Sequence, residues 1–256
     1  MKRLTMLLML ASLITLLSGC NISDGEEEQE VTKEQEETKE QEETKTEQED
    51  KPHVEDVIIH SATEEQETPG EAVQEQYEVV FSDEKSEFPK ESSILHEASL
   101  EDRSIVTIRS PEGENNYSVF LYERENVWKI RCFLRIDANQ GESFTDAEGL
   151  ALPMDHFRTT DLHVDDTESD MWTFVNDEKV VNITMFEEFP LRQEAGEVEL
   201  ADGRKGYVQE DSYGSSSIYY YDRGKVVVVS GTLTEKEATD LAKSLPPSSS
   251  SDFPKQ

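Results

Sequence analysis

Between Glu26 and Lys51 the chain carries a single apolar residue, Val31. A segment of that composition cannot bury enough surface to offset the entropy of ordering its backbone, so it is expected to be disordered. The chain is thereby divided into a front end, a spacer and a part able to fold. Within the spacer the hexapeptide Lys-Glu-Gln-Glu-Glu-Thr occurs twice in tandem, at 33–38 and 39–44, and a degenerate copy starts at Lys45. A six-residue period without an apolar seam cannot build a coiled coil, which needs heptads. The pairs Glu36–Lys39 and Glu42–Lys45 favour transient helix by only about 0.3 kcal/mol each. Low apolar content continues to about Glu75, broken by Val57-Ile58-Ile59, a short candidate docking patch, so the spacer is drawn to residue 75.

The charge follows the same division. The chain has 58 Asp+Glu against 24 Lys+Arg, a net charge of −34, of which −19 falls in residues 21–90 and −17 in residues 91–256. Phosphate contacts need Lys and Arg, so nucleic acid is excluded as a partner. The spacer reads as a solvated arm that repels an anionic surface beneath it, with cation binding by its carboxylates as the alternative. Two cysteines exclude a disulfide framework and a zinc ribbon.

The front end is an address. Lys2 and Arg3 precede an apolar run from Leu4 to Leu17. That length suits a signal peptide over residues 1–19 and falls short of the roughly 20 residues of a membrane-spanning helix. The run closes on Leu17-Ser18-Gly19-Cys20, which resembles the lipobox of bacterial lipoproteins. The resemblance implies diacylglyceryl transfer to the Cys20 thiol, cleavage after Gly19 and further acylation of the new amino terminus, palmitate being a typical chain. It places the protein on the extracytoplasmic face of a cell membrane. Two or three acyl chains anchor stably, whereas one would be marginal.

From Tyr77 onward, β-branched and aromatic residues return in short runs separated by turn signals. Ser104–Arg109, Tyr117–Tyr122 and Val127–Ile136 read as consecutive antiparallel strands. In the last of these Trp128, Ile130, Cys132, Leu134 and Ile136 alternate with Lys129, Arg131 and Arg135, which predicts one apolar face. Trp172–Val175 with Val180–Phe186, Glu197–Leu200 with Gly206–Gln209, and Ser217–Tyr221 with Lys225–Ser230 read as further hairpins. Val226–Val229 is apolar on both faces and predicts a central strand covered on both sides. Thr234-Glu235-Lys236-Glu237 fits a capping box, and Ala238, Leu241, Ala242 and Leu245 share the helical face that follows, stopped by Pro246-Pro247. The predicted fold is α+β and β-rich: antiparallel hairpins with a capped C-terminal helix, spanning 76–246. A division into two subdomains near 137–170 is an option, and residues 247–256 are expected to form a flexible tail.

Residues 197–245 add a second resemblance. Gly206-Tyr207-Val208, Ile218-Tyr219-Tyr220-Tyr221, Val226 to Gly231, and Leu233-Thr234-Glu235-Lys236-Glu237 running to Leu245 look like an extracytoplasmic domain of unknown function. That domain ends many Gram-positive lipoproteins and membrane-anchored anti-sigma factors. The resemblance implies a surface-exposed sensing, binding or scaffold role and no catalytic residues.

Chemistry-bearing motifs are few. If 161–165 is extended, Asp161, His163 and Asp165 share a face and form a candidate set for a divalent cation. The plainer reading is an acidic surface loop. Cys132, on an apolar strand face, reads as a small core residue, and the Tyr219-Tyr220-Tyr221 run as a strand with alternating buried and exposed rings. No nucleophile elbow, phosphate loop or dinucleotide fingerprint occurs. The expected function is a non-enzymatic, cofactor-free binding, sensing or scaffold module, held to the membrane through diacylglyceryl-Cys20 and facing an envelope protein, peptide or wall component. A cell-envelope hydrolase with unmarked catalytic carboxylates and a cation-binding surface protein are the alternatives.

Overall fold

Alternating runs become strands here because each finds a neighbour to pair with and a layer to cover it. The computed structural model describes residues 52–165, 168–191 and 196–255. Strand β1 (Val54–Ile59), helix α1 (Pro69–Gln76), β2 (Tyr77–Phe81) and β3 (Ser86–Glu87) build a small three-stranded sheet with its helix. Strands β4 (Ile94–Leu100), β5 (Arg103–Arg109), β6 (Asn116–Arg124) and β7 (Trp128–Asp137) form a four-stranded meander. Strands β8 (Arg158–Val164), β9 (Ser169–Val175) and β10 (Val180–Glu187) join β11 (Gly196–Glu199), β12 (Lys205–Glu210), β13 (Ser216–Asp222) and β14 (Lys225–Gly231) in a seven-stranded sheet. Its order is β11-β12-β13-β14-β10-β9-β8, and every pairing is antiparallel. Helix α2 (Glu235–Ser244) follows.

Four layers result. One face of the four-stranded sheet, through Ile108, Phe120 and Tyr122, packs on Ala72 and Val73 of α1 and on Tyr77. The other, through Ile105, Val119 and Leu121, meets Val180, Phe186, Val226 and Val228 of the large sheet. The far face of the large sheet, with Ile183, Val227 and Val229, receives Ala238, Leu241 and Ala242 of α2. Strand β14 is thus covered on both sides, as the four valines predict, and each contributes about 2 kcal/mol by its burial. The strand ends at Gly231, whose φ is +126°, because a Cβ there would sit 2.1 Å from the Val180 carbonyl oxygen. The α2 capping box is formed: Thr234 Oγ1 accepts from the Glu237 amide at 3.3 Å, and Glu237 Oε2 accepts from the Thr234 amide at 2.9 Å.

Five expectations are corrected. The folded unit begins well before residue 76, because β1 pairs with β2 and α1 carries its own capping box. There the Thr68 hydroxyl accepts from Glu71 N, the Glu71 side chain accepts from Thr68 N, and Pro69 opens the helix. The 137–170 stretch divides nothing, since Asp50–Gln256 is one unit and Leu150 and Phe157 sit in the core beneath α2. The residues after 246 are docked: Ser248 N donates to Asp222 Oδ2 at 2.7 Å, and Phe253 is buried. Strand β7 does not keep one apolar face. Pairing steps from Leu121–Cys132 to Tyr122–Ile130, leaving Arg131 as the extra residue of a β-bulge. Trp128 and Ile130 therefore face α1, whereas Cys132, Leu134 and Ile136 face the large sheet. Tyr219 and Tyr220 are both buried, on opposite faces of β13, because that strand too is covered twice. The signal-like segment, Cys20 and the tandem repeats lie outside the described residues.

Candidate functional site: an aromatic pocket

The β8 edge of the large sheet carries a cavity of about 220 Å³ on the side that holds α2. Register explains its composition. Thr159 lies opposite Phe174 and Asp161 opposite Trp172, so these four side chains share one face of the β8–β9 hairpin. Just before β8, Phe157 and Phe144 exchange backbone hydrogen bonds of 2.8 and 2.9 Å, which draws the 144–150 loop over the sheet edge. Asp146 Oδ1 accepts from Glu148 N at 2.8 Å to turn that loop, and Ala151 N donates to Ser244 Oγ to pin it to α2. From the other side the C-terminal segment returns, placing the Phe253 ring 5.2 Å from Trp172 at 66°.

The result is a ring-lined hollow with an acidic rim. Phe157 and Phe174 are buried and meet edge-on at 5.6 Å and 70°. Phe144 stacks on Phe157 at 6.0 Å and remains 37% exposed, and Trp172 is half-buried. Asp146, Glu148 and Asp161 stand exposed around the opening. Lys255, also at the rim, pairs with Glu148 at 3.2 Å.

The cation set expected from the sequence is split. Asp161 and His163 share the exposed face of β8, but the strand ends at Val164 and Asp165 lies past it in a tight turn. His163 is held between Asp170 Oδ1, 2.7 Å from Nδ1, and Asp165 Oδ1, 3.1 Å from Nε2, so both ring nitrogens are engaged. The hydrogen bond to Asp170, then that carboxylate's charge, holds the imidazole above its usual pKa. Asp161 belongs instead to the pocket wall. Among the described residues no three or more His, Cys, Asp or Glu converge on a position suited to a metal ion.

A second polar cluster, which no spacing announces, lies between the layers. His96 is fully buried, and its Nδ1 donates to Asp211 Oδ2 at 2.6 Å across 115 residues of sequence. Asp211 also accepts from the amides of Glu97, Tyr213 and Ser215, each at 2.9 Å. Burial alone would raise its carboxyl, but the His96 hydrogen bond and these amides outweigh that and hold it below its usual value. Neighbouring Glu97 accepts from Gly70 N of α1 at 2.9 Å and from Ser99 Oγ at 2.8 Å. Burial dominates there and holds the Glu97 carboxyl above its usual range. Beside His96 in the register stands Thr107, whose hydroxyl accepts from Asn182 Nδ2 at 3.0 Å, while Asn182 Oδ1 accepts from Thr173 at 2.8 Å.

An Asp–His pair is the skeleton of nucleophilic catalysis, which further requires a hydroxyl or thiol within reach and access to substrate. His96 Nε2 has no hydrogen-bond partner and no exposure. Cys132 is mostly covered, and burial pushes its thiol up to about 11, far from thiolate formation at neutral pH. His96 and Cys132 are thus largely closed to solvent, whereas the aromatic pocket presents rings and carboxylates to it. No protein-family model matches the chain, and no curated protein is similar to it.

Proposed function

We propose that this chain is a lipid-anchored extracytoplasmic binding module without catalytic activity, and that the aromatic pocket at the β8 edge receives an envelope component. One observation carries the binding half: a cavity open to solvent is walled by five aromatic rings, whereas the Asp–His pair and the thiol are closed off. The anchoring half is supported by the lipobox-like Leu17-Ser18-Gly19-Cys20 behind an apolar run of signal-peptide length. With the folded unit starting near Asp50, an acidic segment of about 30 residues separates it from Cys20. Its acidic charge, set above anionic headgroups, favours holding the folded unit away from the lipid.

The test combines labelling with accessibility. In cells given labelled palmitate, the wild-type chain acquires label, sediments with membranes and is digested when protease is added outside the intact membrane. Cys20→Ala loses the label and the sedimentation. Label that persists in Cys20→Ala, or a chain protected from external protease, contradicts the proposal.

A further inference from the structure

We propose that the pocket binds a quaternary ammonium group, and that its rim rejects the same group when an anion is attached to it. The inference rests on the reading of this pocket as the ligand site and names the ligand class. Its first support is the arrangement of rings. A saccharide docks on a flat aromatic platform, but here Phe157 and Phe174 meet at 70°, and Trp172 and Phe253 at 66°. Only Phe144 and Phe157 lie near-parallel, at 29°, so the five rings line the hollow from several sides and supply it with aromatic surface rather than one flat platform. A compact cation with no N–H groups gains most from that surrounding, because it asks for no directed hydrogen bonds. A primary ammonium is strongly hydrated and needs acceptors for its three donors, which ring faces do not supply.

The second support is charge. Three carboxylates, Asp146, Glu148 and Asp161, stand around the opening, and the one ammonium there, Lys255, is already paired with Glu148. Asp161, facing Trp172 across the strand pair, has no ion-pair partner among the described residues. The rim is therefore net negative beside the rings, complementary to a cation and repulsive to a phosphate or carboxylate tethered to it. Choline fits this description, whereas phosphocholine and glycine betaine carry the wrong charge at the rim.

The experiment uses the two tryptophans as reporter and control. Trp172 lines the pocket, whereas Trp128 is buried in the core beneath α1, with its indole N–H donating to the Glu67 carbonyl at 3.1 Å. In the ¹⁵N-labelled full-length chain, choline chloride should shift the Trp172 indole N–H resonance saturably and leave that of Trp128 in place. The neutral isostere 3,3-dimethylbutan-1-ol should bind about tenfold more weakly, the loss expected for removing a cation–π contact. Phosphocholine should bind more weakly than choline. Asp161→Asn should weaken choline several-fold (roughly the effect of one rim charge) and leave the isostere unchanged. Equal binding of choline and the isostere overturns the ligand class while the pocket reading stands. Stronger binding of phosphocholine, or of N-acetyl-lysine amide, overturns the quaternary or the rim-selective part. A Trp172 resonance that responds to none of these, nor to chitobiose, overturns the pocket reading as well.

Discussion

The His96–Asp211 cluster and the aromatic pocket are built from similar materials and do opposite things. Each gathers carboxylates and rings from distant segments, and each sits at the border of a sheet. The first lies between layers, so its polar atoms depend on partners within the protein, and His96 Nε2 is left without one. Asp211 alone accepts from His96 and three amides. The second lies outside the layers, so its carboxylates are left to solvent and its rings stay partly uncovered. The hydrogen bonds of the first cluster join α1, β4 and the β12–β13 turn. The features open to a ligand look like surplus core.

That contrast predicts unequal costs. Asp211→Ala strips a buried pair of one member and should destabilise by about 3–5 kcal/mol in urea unfolding, while Asp161→Asn at the pocket rim should stay within about 0.5 kcal/mol. Similar costs for the two would erase the distinction. Asn182→Leu orphans the Thr107 and Thr173 hydroxyls between the sheets and should cost about 1–3 kcal/mol. Phe144→Ala removes a partly exposed ring stacked on Phe157 and should cost about 1 kcal/mol.

The smallest effect is in the pH dependence, where the two buried carboxyls act in opposite directions. Asp211 has a lowered folded-state pKa, so its contribution is present above the unfolded value and is lost as pH falls through the folded one. Glu97 has a raised folded-state pKa, so the folded state holds its proton longer than the unfolded chain does. Stability from that group is full below the unfolded value and declines as pH rises through the folded one. Glu97→Gln should remove this decline above the usual carboxylate range and leave the acid limb in place, as read from urea midpoints across the pH range. An unchanged decline would assign it to another group.

Local pattern made much of the fold legible and little of the site. The hairpins and the Thr234–Glu237 box rest on contacts between residues close in sequence, where period and capping chemistry speak directly, and the four consecutive valines of β14 announce two-sided cover by composition alone. Helix α1 carried the same signature, Thr68-Pro69-Gly70-Glu71, but stood in a stretch whose acidity masked it. The bulge at Arg131 left no trace in the alternation, because its partner strand decides where pairing slips. The docked C-terminus was hidden for a related reason: its serines read as solvent-facing until Asp222 supplies Ser248 with partners. The pocket itself draws on residues 144–161, 172–174 and 253–255, so no single window contains it. Asp161 was visible as a carboxylate near a histidine, and only the strand register shows that it belongs with Trp172.

The most direct test of the division between sealed cluster and open pocket is the stability gained from saturating choline, measured by urea unfolding in three chains. The full-length protein should gain RT ln(1 + [L]/Kd), about 2.7 kcal/mol at a hundredfold excess over Kd. Asp211→Asn should start from a much lower midpoint and gain the same increment. Phe144→Ala should start near the wild-type midpoint and gain little. An increment lost in Asp211→Asn but kept in Phe144→Ala would place the ligand at the buried cluster and contradict the account.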